Sequence, residues 1–112
     1  MKLKATVSID ENRNNLWLRF NKTDADNKSL IQDRGQAEVH DEPVSLKGSV
    51  LKFRFWWNSK TNPPYLEAEA AKGWSYNEAY LEVQRISQLH LEHRDTVTFN
   101  VSGTAGNYVL NV

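Results

Sequence analysis

Val50-Leu51-Lys52-Phe53-Arg54-Phe55-Trp56-Trp57 is the stretch on which the fold turns. It alternates with a period of two, the mark of a β-strand. Leu51, Phe53, Phe55 and Trp57 fall on one face, and Val50, Lys52, Arg54 and Trp56 on the other. The first set is a core face. The second joins two cations to a tryptophan, which is more than a plain solvent face needs.

The segments on either side read the same way. Upstream, Lys2 to Ile9 alternates, with Leu3, Ala5, Val7 and Ile9 on one side. The polar cluster Asp10 to Asn15 is a turn. Leu16-Trp17-Leu18-Arg19-Phe20 then alternates again and completes a β-hairpin, with Trp17 and Arg19 outward. Residues 21–34 are polar and read as a loop, and Gly35 to His40 as a short strand. Val44 to Trp57 reads as two short strands, or as one bent at Lys47-Gly48. Asn58 to Pro64 is a loop, because proline has no amide hydrogen to give to a ladder. At the other end, Asp95 to Val101 and Asn107 to Val112 are strands joined through Ser102-Gly103-Thr104-Ala105-Gly106.

Residues 62–93 admit two readings. Asn62-Pro63 as a cap, then Ala68, Ala70 and Ala71 before Lys72-Gly73, spell a helix. Ser75-Tyr76-Asn77-Glu78 fits a capping box opening another. Yet Leu66, Ala68 and Ala70 alternate with Glu67, Glu69 and Ala71, as a strand would, and Ala79, Leu81 and Val83 alternate too. Agreement with the flanking β blocks favours strand. The expectation is an all-β, antiparallel sandwich or jelly-roll-like single domain over residues 1–112. The alternative is α+β with one or two helices within 62–93.

Composition narrows the function. With 14 basic and 14 acidic residues the chain is formally neutral, which argues against a duplex DNA binder. There are no cysteines, so disulfides, thiol nucleophiles and thiolate metal sites are excluded together. The N-terminal residues lack the apolar stretch of a signal peptide, and no apolar run approaches a membrane span. The expectation is a soluble domain with no cofactor; its compartment is left open.

Several constellations test poorly for catalysis or metal. No G-x-S-x-G turn is present. His90-Leu91-Glu92-His93 offers two histidines, too few for a zinc site. Asp24 to Ser29 resembles half a calcium loop but lacks its glycine and final glutamate. The acidic pairs Asp10-Glu11, Asp41-Glu42 and Glu67 with Glu69 lack an aromatic context. No enzyme activity is expected. A single-strand nucleic-acid surface is disfavoured, since the glycines of an RNA-recognition strand are missing around Lys52 to Phe55.

Binding is better supported. Tryptophan and tyrosine offer a flat apolar face and a hydrogen-bond donor, which suits sugar rings and protein partners alike. If strands 16–20 and 50–57 share a sheet, Trp17, Arg19, Lys52, Arg54 and Trp56 share its outer face. Trp74 and Tyr76 are added as further exposed aromatics. The expected function is non-catalytic, lectin-like binding of a polysaccharide or glycan, more readily an anionic one. The alternative is a protein-binding or self-assembling homo-oligomeric module of a surface, viral or secretion machine, with the same aromatics at its interface.

Overall fold

The computed structural model describes residues 2–21, 41–58, 65–104 and 106–112. Among these residues, seven strands and one helix follow one another: β1 (Lys2–Asp10), β2 (Asn15–Asn21), β3 (Asp41–Leu46), β4 (Lys52–Asn58), β5 (Tyr65–Ala70), α1 (Tyr76–Ser87), β6 (Thr96–Ser102) and β7 (Tyr108–Asn111). The expected strand at 35–40, the calcium-like stretch at 24–29 and all of the loop expected at 58–64 except Asn58, which ends β4 instead, lie outside the described residues.

The strands close into a barrel in the order β1-β2-β5-β4-β3-β7-β6, with β6 returning to β1. This corrects the sandwich expectation while keeping the β class. The closing device is β1. Its second half, Thr6 to Asp10, pairs with β2, and its first half, Lys2 to Thr6, pairs with β6. One nine-residue strand thus serves two neighbours, and two separate sheets never form. Every pairing is antiparallel except β3 with β7, where Val44, Ser45 and Leu46 run alongside Tyr108, Val109 and Leu110. Among the described residues, closure leaves no strand without a neighbour on both sides.

Alternation decides what fills the interior. Leu3, Ala5 and Val7 of β1, Leu16, Leu18 and Phe20 of β2, and Phe53 and Phe55 of β4 are all buried. Leu66 and Ala68 of β5, Phe99 of β6 and Leu110 of β7 join them in one cluster. Side chains fill a barrel of this size completely, so it is a packed core and not a channel. Phe20 and Phe55 meet edge to face at 5.9 Å, and Phe55 meets Tyr108 at 5.5 Å. Three strands, β2, β4 and β7, thereby meet around one ring.

The ambiguous stretch resolves into both of its readings. Tyr65–Ala70 is a strand between β2 and β4, with Leu66 and Ala68 inward and Glu67 and Glu69 outward. Its alanine and glutamate content favours helix locally. Two ladders of backbone hydrogen bonds and two buried side chains outweigh that preference. The second half is α1. Ser75 Oγ accepts from the Glu78 amide at 3.2 Å, and Glu78 Oε2 accepts from the Ser75 amide at 3.2 Å. Ala79 and Val83, four apart, enter the buried cluster, while Leu81 is on the exposed side. Gln88 ends the helix in the left-handed region at φ 57°. Arg85 then donates to the Gly48 carbonyl at 2.9 Å, stitching the helix end to the β3–β4 turn.

The capping box makes a first prediction. Ser75→Ala leaves the Glu78 amide without its acceptor and costs about 1 kcal/mol. For a domain of this size the midpoint of thermal unfolding falls by about 4 °C, read by circular dichroism. An unchanged midpoint would mean that α1 adds little to the cooperative unit.

The β6–β7 hairpin depends on Gly103. Its φ is +88°, and a Cβ there would run into the Asn107 carbonyl oxygen. Only glycine avoids both the strain and the clash.

Candidate functional site

Three adjacent strands build one outer face. Because Leu16, Leu18 and Phe20 point inward, Trp17 and Arg19 must point out of β2. Because Phe53 and Phe55 point inward, Lys52, Arg54 and Trp56 point out of β4. The two strands meet the condition set by the sequence reading, that they share one sheet, but they are not neighbours. Strand β5 runs between them and contributes Glu67 and Glu69.

Register sets the pattern. Trp17, Glu69 and Arg54 form one row across the strands, and Arg19, Glu67 and Trp56 form the next. Arg19 Nε donates to Glu67 Oε1 at 2.7 Å, and Arg54 Nη2 donates to Glu69 Oε2 at 3.3 Å. The Arg54 guanidinium carbon lies 5.6 Å from the Trp56 ring centre. Arg13, from the β1–β2 turn, joins the rim, and its Nε is 3.4 Å from Asp10 Oδ2. The result is an open hollow of about 310 Å³ lined by Arg13, Trp17, Arg54, Trp56, Glu67 and Glu69. From strand spacing and rise, the two tryptophans sit on a diagonal of roughly 12 Å between Cα atoms. Trp17 is half-buried and Trp56 is 37 % exposed.

No family model, curated protein or solved structure matches this chain. The chemistry of the face therefore carries the reading alone. Its cations are neutralised in place: each glutamate accepts from an arginine on the neighbouring strand. The result is a polar strip with fixed donors and acceptors, bounded by an indole at either end.

Glu67 holds its proton more tightly than an ordinary carboxyl, above the usual 4.5. Burial is the largest cause, and together with the nearby Glu69 charge it outweighs the charge and hydrogen bond of Arg19, which lower it. A raised value means the folded chain binds the proton better than the unfolded one. The stabilising contribution is then complete below the unfolded value and is lost as pH rises through the folded one. Comparison with Glu67→Gln isolates this effect, since other carboxyls titrate alike in both proteins. The stability of the wild type relative to the variant is expected to fall as pH rises from the ordinary carboxylate range to values above it. Thermal melts of the two proteins across that range test it. A difference that stays constant or grows would show that the carboxylate is not desolvated.

Four of the sequence candidates converge here: Trp17, Arg19, Arg54 and Trp56. Three do not. Lys52 points outward from β4 but lies opposite Ser45, beyond the hollow. Trp74 sits in the turn after β5 and packs, half-buried, against the core cluster. Tyr76 opens α1 and faces a separate cleft, where its hydroxyl donates to Glu11 Oε1 at 3.3 Å. Sequence reasoning also missed Arg13, Glu67 and Glu69. The glutamate pair does have an aromatic context, between Trp17 and Trp56, contrary to expectation. The outward alternation of Glu67 and Glu69 was the available signal, but the strand order that places them was not.

Among the described residues no three metal-binding side chains come together. His93 is used structurally, its Nδ1 accepting from the Ile9 amide at 3.1 Å. His90 lies 3.4 Å from Glu92 at the surface.

Proposed function

We propose that the β2–β5–β4 face binds carbohydrate without catalysis, and that its ligand is an uncharged oligosaccharide chain. The supporting observation is the hollow itself, with two tryptophans at the ends of a diagonal and two Arg–Glu pairs between them. A sugar ring has an apolar C–H face that stacks on indole, and an equatorial rim of hydroxyls. Each hydroxyl both donates and accepts. Guanidinium groups supply donors and carboxylates supply acceptors, and their mutual pairing holds them in place before the ligand arrives. The diagonal suits two linked pyranose rings. Charge balance revises the expected preference for an anionic glycan, since Glu67 and Glu69 offset Arg19 and Arg54. An open, shallow site of this kind binds weakly, in the micromolar to millimolar range.

Tryptophan fluorescence tests this reading. Neutral hexose oligosaccharides are titrated into the protein, beside a polyuronate at matched ring concentration, with light scattering recorded in parallel. A saturable spectral change with a neutral chain and none with the polyuronate is the expected result. No saturable change with any sugar would overturn it. Scattering that rises with protein concentration while the tryptophans resist iodide would also overturn it, by showing that a second copy covers the face.

A further inference from the structure

A second depression lies away from the tryptophan face, at the meeting of three segments. The β1–β2 turn brings Ile9, Glu11 and their neighbours, the first turns of α1 bring Tyr76 and Tyr80, and the 91–94 turn brings Glu92 and His93. Its volume is about 560 Å³, within the range of small-molecule sites. The walls are tied to one another. Arg94 donates its amide to the Val7 carbonyl, and the Val7 amide donates to the Asp95 carbonyl, both at 2.7 Å. The Ile9 amide donates to His93 Nδ1, and the Tyr80 hydroxyl donates to the Leu91 carbonyl. Tyr76 and Tyr80, four apart on the helix, place their ring centres 6.5 Å apart at a 35° tilt.

The polar groups of this cleft divide by how they are used. Asp10 is consumed by its own turn, accepting at 3.1 Å from the amides of Asn12 and Arg13. Glu11 and Glu92 are exposed and come from different segments, Glu11 accepting from the Tyr76 hydroxyl and Glu92 lying 3.4 Å from His90 Nε2. Partial burial and the Glu11 carboxylate push the Tyr76 phenol above its usual value, so it stays protonated and donating. Two tyrosine side chains and two exposed carboxylates lining one cleft are complementary to positive charge on an apolar body.

We propose that this cleft is a second binding site, taking a small organic cation through an alkylammonium group. The ammonium rests against the Tyr76 and Tyr80 rings between Glu11 and Glu92, and the alkyl part lies on Ile9. Recognition by aromatic faces requires charge on the ligand as well as shape, so an uncharged isostere is refused.

Amide NMR spectra of the whole chain test the proposal, with choline, its uncharged carbon isostere dimethylbutanol, and a short lysine-containing peptide as probes. Choline is expected to give saturable shifts confined to residues 9–12, 76–80 and 91–93, with the isostere giving none. Glu11→Gln with Glu92→Gln is expected to weaken choline at least tenfold while the spectrum stays dispersed, because both side chains are exposed. Glu11→Gln alone serves as the milder variant, with a smaller loss in the same direction. Tighter binding of choline than of the peptide assigns the cation to a free small molecule, and the reverse order assigns it to a protein side chain. No saturation at tens of millimolar, equal shifts from the isostere, or an unweakened double variant would each overturn the site.

Discussion

Phe55→Ala is expected to remove about 3–5 kcal/mol of folding stability. The residue is fully buried, and its ring holds the two aromatic contacts at the centre of the barrel, with Phe20 on β2 and Tyr108 on β7. Those strands lie on opposite sides of β4 in the closed order, two steps away in each direction. Truncation leaves a cavity that seven paired strands cannot collapse around, because each is held in register on both sides. A domain of this size has a total stability of about 5–15 kcal/mol, so about a fifth of it or more is at stake. In urea the unfolding midpoint should drop by about 2 M with the slope unchanged. Phe55→Leu, which keeps most of the volume, should cost much less. A loss below about 1 kcal/mol for the alanine variant would mean that the barrel interior is not packed around this ring.

Trp56→Ala is the change with the largest expected effect on binding. Trp56 is 37 % exposed and stands outside the core, so its removal should cost about 1 kcal/mol of stability, mostly its contact with Arg54. Its contribution to a bound sugar is of another order. An aromatic anchor of a binding site is worth about 2 kcal/mol or more, a factor of about 30 in affinity. Against a weak starting affinity that is loss of detectable binding. Retention on immobilised neutral polysaccharide, compared with the wild type, measures it. Trp74→Phe is the control, because Trp74 packs against the core away from the hollow and its replacement should leave retention intact. Wild-type retention by Trp56→Ala would sink the glycan reading of this face.

Local chemistry was legible along most of the described chain. The β1–β2 hairpin, the break at Lys47-Gly48 (left open between a bend and two strands), the β6–β7 hairpin and the capping box at Ser75 each rest on residues within a few positions of one another. Periods of two, turn clusters and caps are short-range signals, and so they survive in sequence. The outward placement of Trp17, Arg19, Arg54 and Trp56 followed for the same reason, since alternation alone assigns each side chain to a face.

Pairing across the chain decided everything else. Nothing in β1 announces that its two halves serve different neighbours, and that sharing is what turns two expected sheets into one barrel. The Tyr65–Ala70 segment carries helix-favouring residues, and only the ladders from β2 and β4 hold it extended. Its insertion there brings Glu67 and Glu69 between the tryptophans and converts an apparently cationic face into a balanced one. Lys52 and Trp74 dropped out of the site through register and packing, and Tyr76 through the position of α1. The sequence by itself determined which side chains face inward, because that depends on a period of two. The tertiary structure decided which outward side chains meet, because that depends on hydrogen-bonded pairings between residues tens of positions apart.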